Sequence, residues 1–182
     1  MQTAELIELM GPPAVAERLG MARPSALQLI EAGVVGPRYT DGQRLMVERD
    51  QVELLAKRQP KNLDELPPAL VLRVGPPQKD PDDDSRDWFG WRDQEPSKDK
   101  RRAGISRWWR VHEADLLTGR LFVVTVSSFA VDVARINGAS SDGSRWAFSL
   151  SDPEADDTDA EAWRLVRLKA NAGGAVIRHR LD

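Results

Sequence analysis

The sequence predicts an α+β protein built from two domains. Three features of the 182-residue chain carry this prediction. Residues 12–58 repeat apolar side chains at helical spacing around one hairpin signal, residues 60–68 are rich in proline and charge, and the segments beyond them are β-branched and separated by turn signals. We therefore expect an N-terminal domain over residues 1–59, a linker over residues 60–68, and a mainly antiparallel β domain with one helix over residues 69–182.

The N-terminal domain is predicted to begin with two helices joined by a tight turn. Pro12 and Pro13 suit the first turn of a helix, where the N–H groups have no helical partner, and Gly20 suits the left-handed residue that ends it. A second helix begins near Pro24 and ends at Gly33. Its core side is formed by Ala26, Leu27, Leu29, Ile30 and Val34, and its outward side by Ser25, Gln28 and Glu31.

A hairpin and a third helix are predicted next. Residues 35–47 have the pattern of two short strands around Asp41-Gly42, a dipeptide favoured where a hairpin turn needs positive φ. From Glu48 onward the apolar residues return to helical spacing, at Val52, Leu55 and Ala56.

Several motifs of this region follow one another in the same order as in a known protein family. They are residues 14–21, residues 29–33, and the hairpin motifs Gly33-Val34-Val35, Pro37-Arg38 and Gly42-Gln43-Arg44. In these motifs the first third of the chain resembles the excisionase-like branch of the MerR-type winged helix-turn-helix superfamily. The resemblance implies a fold that binds double-stranded DNA, with the second helix in the major groove and the hairpin, or wing, against the backbone or minor groove.

The resemblance also implies which side chains contact DNA: Arg23, Ser25 and Gln28 on the second helix, and Arg38, Tyr39, Gln43 and Arg44 on the wing. Glutamine can pair with adenine, arginine with guanine or phosphate, and hydroxyl groups with phosphate oxygens. Each residue also has an ordinary structural interpretation, as a solvated hairpin charge, an exposed helix residue or, for the tyrosine, a ring packed across the wing.

Composition limits the function classes. The net charge is −3, and residues 1–60 hold seven Lys or Arg against eight Asp or Glu, so DNA contact requires a locally basic face. The chain has no cysteine, which excludes disulfides and thiolate chemistry. No secretory signal and no run of about 18 apolar residues appears, so we expect a cytoplasmic protein with no membrane partner.

The second domain is predicted to contain about five strands. Residues 120–126 and 129–136 should pair as a hairpin through Ser127-Ser128. The other strand candidates are residues 69–74, residues 145–150 after turn signals at Asn137-Gly138 and Asp142-Gly143, and a second hairpin of residues 163–170 and 175–181 around Gly173-Gly174.

One helix is predicted among these strands. Helical spacing is shown by Ile105, Trp108, Trp109, His112 and Leu116, with Gly119 as a stop. The alternation of Ile105, Arg107, Trp109 and Val111 leaves a strand open as the alternative.

Two clusters in the second domain are candidate binding surfaces. Trp88-Phe89-Gly90-Trp91 lies between polar segments, so Trp88, Trp91 and Trp108 are candidates for a ligand pocket or an interface, with core packing as the alternative. A basic run is a candidate auxiliary contact for nucleic acid or a partner, with a solvated charge run as the alternative, and comprises Lys100, Arg101, Arg102 and Arg107.

Catalytic and metal chemistry find little support in the sequence. The acidic stretches 80–87 and 152–161 match no calcium-loop spacing, and no zinc-ligand spacing or phosphate-cradling glycine loop appears. His112 and His179 are expected to be structural. We predict a protein that is not an enzyme and has no metal or cofactor.

The leading hypothesis is a sequence-specific DNA-binding transcription regulator of bacterial or phage type, whose second domain senses a small ligand or forms a homodimer. A first alternative is a phage or mobile-element DNA-recognition factor, for excision or packaging, whose C-terminal domain docks a partner protein. A second is a protein-interaction adaptor with a winged-helix remnant.

Overall fold

The computed structural model describes residues 7–169 and 174–181 of the chain. Its N-terminal part is a three-stranded antiparallel sheet, in the order β1-β3-β2, with three helices. The elements are β1 (Leu9–Met10), α1 (Pro12–Leu19), α2 (Arg23–Glu31), β2 (Arg38–Asp41), β3 (Arg44–Glu48) and α3 (Arg49–Ala56).

The rest of the described chain forms a mixed seven-stranded sheet with two short helices. Its elements are β4 (Pro60–Lys61), β5 (Ala69–Arg73), α4 (Lys98–Ala103), β6 (Leu121–Val126), β7 (Phe129–Asp142), β8 (Arg145–Ser151), α5 (Thr158–Trp163), β9 (Arg167–Leu168) and β10 (Val176–His179). The strand order is β10-β5-β6-β7-β9-β4, and β8 also pairs with β7. The pairs β5–β6 and β4–β9 are parallel, and the others are antiparallel. The protein is therefore α+β, as predicted.

Local signals correctly predicted the three N-terminal helices, the β2–β3 hairpin and the β6–β7 hairpin, whereas β1 was not predicted. Gly20 has φ 59° and ends α1, and Gly42 has φ 60° in the β2–β3 turn. The hairpin through Ser127 and Ser128 forms between β6 and β7. Leu27, expected in the core of α2, is instead 36% exposed.

The helix predicted from residue 105 to residue 116 is wrong. The helix of this region is α4, which begins after Ser97, whose hydroxyl caps it, and ends before Gly104. Beyond it the backbone of Trp109 pairs with Trp146 of β8 through two hydrogen bonds of 2.9 and 2.8 Å. Because these backbone groups bond to a strand, they cannot form a helical ladder, and the bridge agrees with the strand alternative. A second short helix, α5, was not predicted.

Two turn predictions are also wrong. Asn137-Gly138 is no turn, because β7 continues through it with a register shift between Ile136 and Gly138. Residues 163–170 and 175–181 do not pair with each other, since β9 pairs with β7 and β4, and β10 pairs with β5. Ala170 and Gly173, which belong to that prediction, lie outside the described residues.

Both faces of the seven-stranded sheet are buried. Leu70 and Leu72 of β5 belong to one apolar cluster, and Val71, between them, belongs to a second cluster that contains Trp163. The first cluster also contains buried residues of all three N-terminal helices, among them Val15, Leu29, Ile30 and Val52. The N-terminal helices and the large sheet therefore share one core.

The predicted linker follows a fixed path along the sheet. Pro60 and Lys61 pair with β9, and Leu66 is buried in the second cluster. The indole N–H of Trp163 donates to the carbonyl of Pro67 at 3.0 Å. The division into two domains stays a prediction.

Asp157 fastens α5 to the sheet. Its Oδ1 accepts the backbone N–H of Ala160 at 2.9 Å, and its Oδ2 accepts Nε of Arg135 on β7 at 2.8 Å. Burial opposes ionisation of this carboxyl, but the Ala160 N–H and the Arg135 guanidinium outweigh it and lower the pKa of Asp157.

We expect Asp157→Ala to lower the free energy of unfolding by about 2 kcal/mol, because a helix cap and an ion pair are both lost. Asp157→Asn keeps a capping acceptor and should cost less. Since the folded pKa is lowered, the charge stabilises the fold above about pH 4 and this stabilisation is lost as pH falls through the folded pKa. Urea unfolding should show the gap between wild type and Asp157→Asn narrowing in acid. A gap that does not change with pH would contradict this role.

Candidate nucleic-acid interface

The helix α2 has a buried side and a polar side. Ala26, Leu29 and Ile30 are buried, whereas Arg23 and Gln28 are exposed. The helix begins at Arg23, its N-cap residue Ala22 provides no side-chain cap, and Pro24 lies in its first turn. Its first turn therefore leaves backbone N–H groups without a capping side chain.

The predicted contact residues lie mostly at the surface. Arg23, Gln28, Arg38, Gln43 and Arg44 are exposed. Ser25 is half-buried.

Tyr39 is engaged within the hairpin. Its hydroxyl donates to a carboxylate oxygen of Glu48, and this hydrogen bond, with burial and the negative charge of Glu48, raises the pKa of Tyr39. The side chain is half-buried. This geometry agrees with the alternative in which the tyrosine serves the hairpin itself.

The arginines around α2 divide into two groups. Arg18 forms an ion pair with Glu53, and Arg49 forms one with Glu8 at 2.9 Å. In contrast, the side chains of Arg23, Arg38 and Arg44 form no hydrogen bond or ion pair with another described residue. The guanidinium groups of α2 and the hairpin are thus the ones left available.

The turn between β6 and β7 contacts the polar side of α2. The hydroxyl of Ser127 lies 2.9 Å from the carbonyl oxygen of Ser25 and 3.0 Å from Oε1 of Gln28. A hydroxyl has one proton, so these two acceptors share one donor. Two predicted DNA contacts are therefore joined to the C-terminal half of the chain.

A cleft opens beside this contact. It has a volume of about 770 Å³, and its walls include Ser25 and Gln28 of α2 and both serines of the β6–β7 turn. Among residues 7–169 and 174–181, its charged lining residues are Arg73, Arg167 and Lys169, with no Asp or Glu. Sequence reasoning missed these three cations because they are far apart from α2 in the chain and no local pattern links them.

Arg167 is held in place at this cleft. Its guanidinium carbon lies 5.1 Å from the ring centroid of Phe129, and one NH2 group donates to the carbonyl of Leu19 at the end of α1. Lys169 is exposed, and its ammonium group forms no ion pair with any of residues 7–169 and 174–181. The cleft thus has one cation whose side chain is held in place, Arg167, and one whose side chain is exposed to solvent, Lys169.

Two of the three tryptophans proposed for a pocket or interface are core residues, which corrects that prediction for them. Trp88 and Trp91 are 7% and 3% exposed. The backbone N–H of Gly90, between them, donates to the carbonyl of Gly104 at 2.9 Å, and a Cβ on Gly90 would lie 2.5 Å from the carbonyl oxygen of Pro76. This close crossing pins the loop and turns both rings inward.

Trp108 is half-buried, and its indole N–H donates to Asp83 at 3.1 Å. It therefore holds the acidic loop of residues 80–87 rather than lining one of the described clefts.

The basic run is largely neutralised. Arg102 is buried and paired with Asp132 and Asp152, each at 2.9 Å, so it cannot reach a nucleic acid. Lys100 lies 3.6 Å from Asp87. Of the other two, Arg101 donates to the carbonyl of Glu95 and Arg107 to the hydroxyl of Ser85.

The histidines do not form a site together. His112 is exposed, and His179 is buried with its Nε2 2.9 Å from the carbonyl oxygen of Leu66. Within the described part of the chain, no three His, Asp or Glu side chains are grouped so that they could hold a metal ion.

Comparison of the chain with protein-family models, with curated proteins and with solved structures finds no match in any of the three. No helix in the described ranges has both the length and the apolar character needed to cross a bilayer.

The turn serines provide a test of the backbone strain in the β6–β7 turn. Ser127 and Ser128 have φ 45° and 78°, a conformation that costs about 1 kcal/mol or more for a residue with a side chain. We expect Ser128→Gly to raise the free energy of unfolding by up to about 1 kcal/mol, since glycine adopts this conformation without strain. Urea unfolding measures the change. A loss of stability would show that the Ser128 side chain contributes more than its backbone costs.

Proposed function

We propose that residues 9–56 form a winged helix-turn-helix and that the protein binds double-stranded DNA through it, as a sequence-specific transcription regulator. In this proposal α2 enters the major groove and the β2–β3 hairpin is the wing. Support comes from the order of elements, which is helix, turn, helix, hairpin and helix. The motifs that carry the family resemblance lie on these same elements.

The observation that carries the proposal is the division among the N-terminal arginines. The side chains of Arg23, Arg38 and Arg44 have no polar or charged partner among the described residues, and they lie on the two elements that would contact DNA. An unpaired guanidinium can bind a phosphate or a guanine without first breaking an ion pair. The paired Arg18 and Arg49 lie instead on α1 and α3.

The Ser127 contact limits how Gln28 reads a base. Bidentate pairing with adenine needs both the oxygen and the nitrogen of the amide, and Oε1 already accepts from Ser127. The net value of such a hydrogen bond is about 1 kcal/mol. DNA therefore displaces it at small cost, and the arginines supply most of the affinity.

A single unit of this size contacts a short site, so useful specificity requires two copies on neighbouring half-sites. We propose a homodimer formed by the C-terminal half of the chain.

The Arg44 side chain gives the main test. We expect Arg44→Ala to weaken binding to every duplex and to reduce the slope of log K against log salt by about one. The measurement is titration of a random duplex pool at several salt concentrations. Arg18→Ala, which removes an arginine from α1, is the matched control and should leave the slope unchanged. Equal slopes for Arg44→Ala and wild type would rule out a phosphate contact by the wing.

The Gln28 side chain gives a separate test of base reading. We expect Gln28→Ala to change the sequences selected from a random pool, and Ser127→Ala to tighten binding to the preferred sequence by up to about fivefold, because the amide is then released. An unchanged selection with both variants would place Gln28 outside the groove.

A protein-interaction adaptor is the second candidate. The observation in its favour is that Ser25 and Gln28 contact the C-terminal half, which reduces the free surface of α2. The absence of any saturable, salt-sensitive duplex binding by the full chain would favour it.

A further inference from the structure

We propose that a gap in the outer edge of β7 binds the carboxyl terminus of a partner protein chain as an added antiparallel strand. The gap comprises residues 131–134, between the part of β7 that pairs with β8 and the part that pairs with β9. The proposal does not depend on DNA binding, because neither α2 nor the β2–β3 hairpin contributes to the cleft at this gap.

Both strands beside the gap stop short of it. The pairing of β8 ends at Arg135, and the pairing of β9 is a single bridge at Phe129. If the β8 register continued, Pro153 would face Val133, but proline has no N–H with which to extend the ladder. The chain leaves the sheet there for α5 and returns at β9.

The backbone of Val133 faces the gap. The N–H of Ile136 donates to the carbonyl oxygen of Arg120, on the β6 side of the strand. Because backbone groups alternate between the two sides of a strand, those of residues 134 and 132 also point to β6, and those of Val133 point outward. Nothing in residues 7–169 and 174–181 pairs with Val133 on that outer side. One donor and one acceptor are therefore available to an added strand.

A cleft of about 630 Å³ lies at the gap and is lined by Val131, Asp132 and Val133. Its volume is in the range of small-molecule sites, so it holds only a short stretch of chain. At one end the edge is already taken, since the N–H of Ala130 donates to the carbonyl oxygen of Val166 at 2.8 Å. A strand that enters the gap therefore has to end there.

Arg58 can bind the charge of that chain end. It lines the cleft, is half-buried, and donates through one NH group to the carbonyl oxygen of Ala130 at 3.1 Å. Its guanidinium forms no ion pair with a described residue, which leaves further N–H groups for a carboxylate. Burial lowers the pKa of Arg58 more than the nearby charge of Asp93 raises it. The positive charge of Arg58 is therefore only partly compensated.

The other charged residues of the described lining already have partners. These contacts are the ion pairs Lys98–Asp152, Arg164–Glu161 and Arg102–Asp132, and the hydrogen bond from the indole N–H of Trp91 to Asp93. The charge that complements this cleft is thus a single negative one, at Arg58.

The position of Arg58 determines the direction of the bound chain. Both β8 and β9 run antiparallel to β7, and a chain that fills the gap in the same direction reaches Ala130 with its C-terminal end. A chain in the opposite direction would bring its terminal ammonium group beside Arg58, and like charges repel. A terminal carboxylate instead forms a charge-assisted hydrogen bond with the guanidinium.

Leu165 gives the cleft an apolar wall. It is 69% exposed and has φ 56°, a conformation that is unfavourable for a residue with a side chain. Val34 and Val131 line the same cleft. An apolar last residue on the bound chain would cover this surface.

The experiment uses the full chain and peptides, without DNA. Immobilised protein selects from a pool of random hexapeptides with free carboxyl termini, and fluorescence anisotropy measures the affinity of a selected peptide. We expect an apolar last residue, and amidation of the carboxyl terminus should weaken binding about tenfold. No selected peptide, no preference at the last residue, or equal binding of the amide would overturn the proposal.

The Arg58 side chain gives a second readout. We expect Arg58→Gln to weaken binding of the selected peptide about tenfold and to remove most of the difference between carboxylate and amide. Arg110→Gln removes an exposed arginine that does not line the cleft, and it should bind like wild type. Equal binding by Arg58→Gln would overturn the carboxylate site. If that variant does not fold, the amidated peptide still tests the charge.

Methylation of one peptide N–H at a time tests the added strand. Because an antiparallel ladder uses alternate residues, we expect the N–H that faces the carbonyl of Val133 to be sensitive and its neighbours to be tolerant. A scan with no sensitive position would overturn the strand. Self-association of the full chain that Arg58→Gln abolishes, with no peptide selected, would show that a second copy fills the gap and would overturn the proposed partner.

Discussion

The packing of the N-terminal helices on one face of the large sheet determines the rest of the structure. Leu70, Leu72 and Phe122 from the sheet lie in the same apolar cluster as buried residues of α1, α2 and α3. Because α2 is held through Leu29 and Ile30, its polar side is left beside the β6–β7 turn, where the hydroxyl of Ser127 meets it. The position of the cleft and the contact on Gln28 are both consequences of this shared core.

This packing places the polar side of α2 beside both the β6–β7 turn and the cleft. A helix that reads a groove needs an open polar side, and a helix that lines a ligand site needs a facing wall. Here Arg23 is open to solvent, while Ser25 and Gln28 face the turn and the cleft. The hydroxyl of Ser127 makes the only side-chain hydrogen bonds described between the turn and α2.

Sequence reasoning predicted the elements whose signals are local. Pro12 and Gly20 bound α1, and Asp41-Gly42 forms the hairpin turn, because each acts through its own backbone. It failed where distant partners decide the structure. The spacing of Trp108 and Trp109 is helical, but the backbone of Trp109 finds its partner at Trp146. The cleft cations were missed for the same reason, since only the strand order brings them together.

Net charge does not show which charged side chains of the N-terminal third are free, because ion pairs engage some of them and leave others unpaired. The N-terminal third is slightly acidic by count, yet part of its acidic charge is taken up by the ion pairs Arg18–Glu53 and Arg49–Glu8. The hydroxyl of Tyr39 likewise donates a hydrogen bond to the carboxylate of Glu48 within the hairpin. A carboxylate engaged in this way repels an approaching phosphate less strongly. The side chains of Arg38 and Arg44, in contrast, keep an unpaired positive charge. Local pairing, rather than composition, thus decides whether this surface attracts an anion.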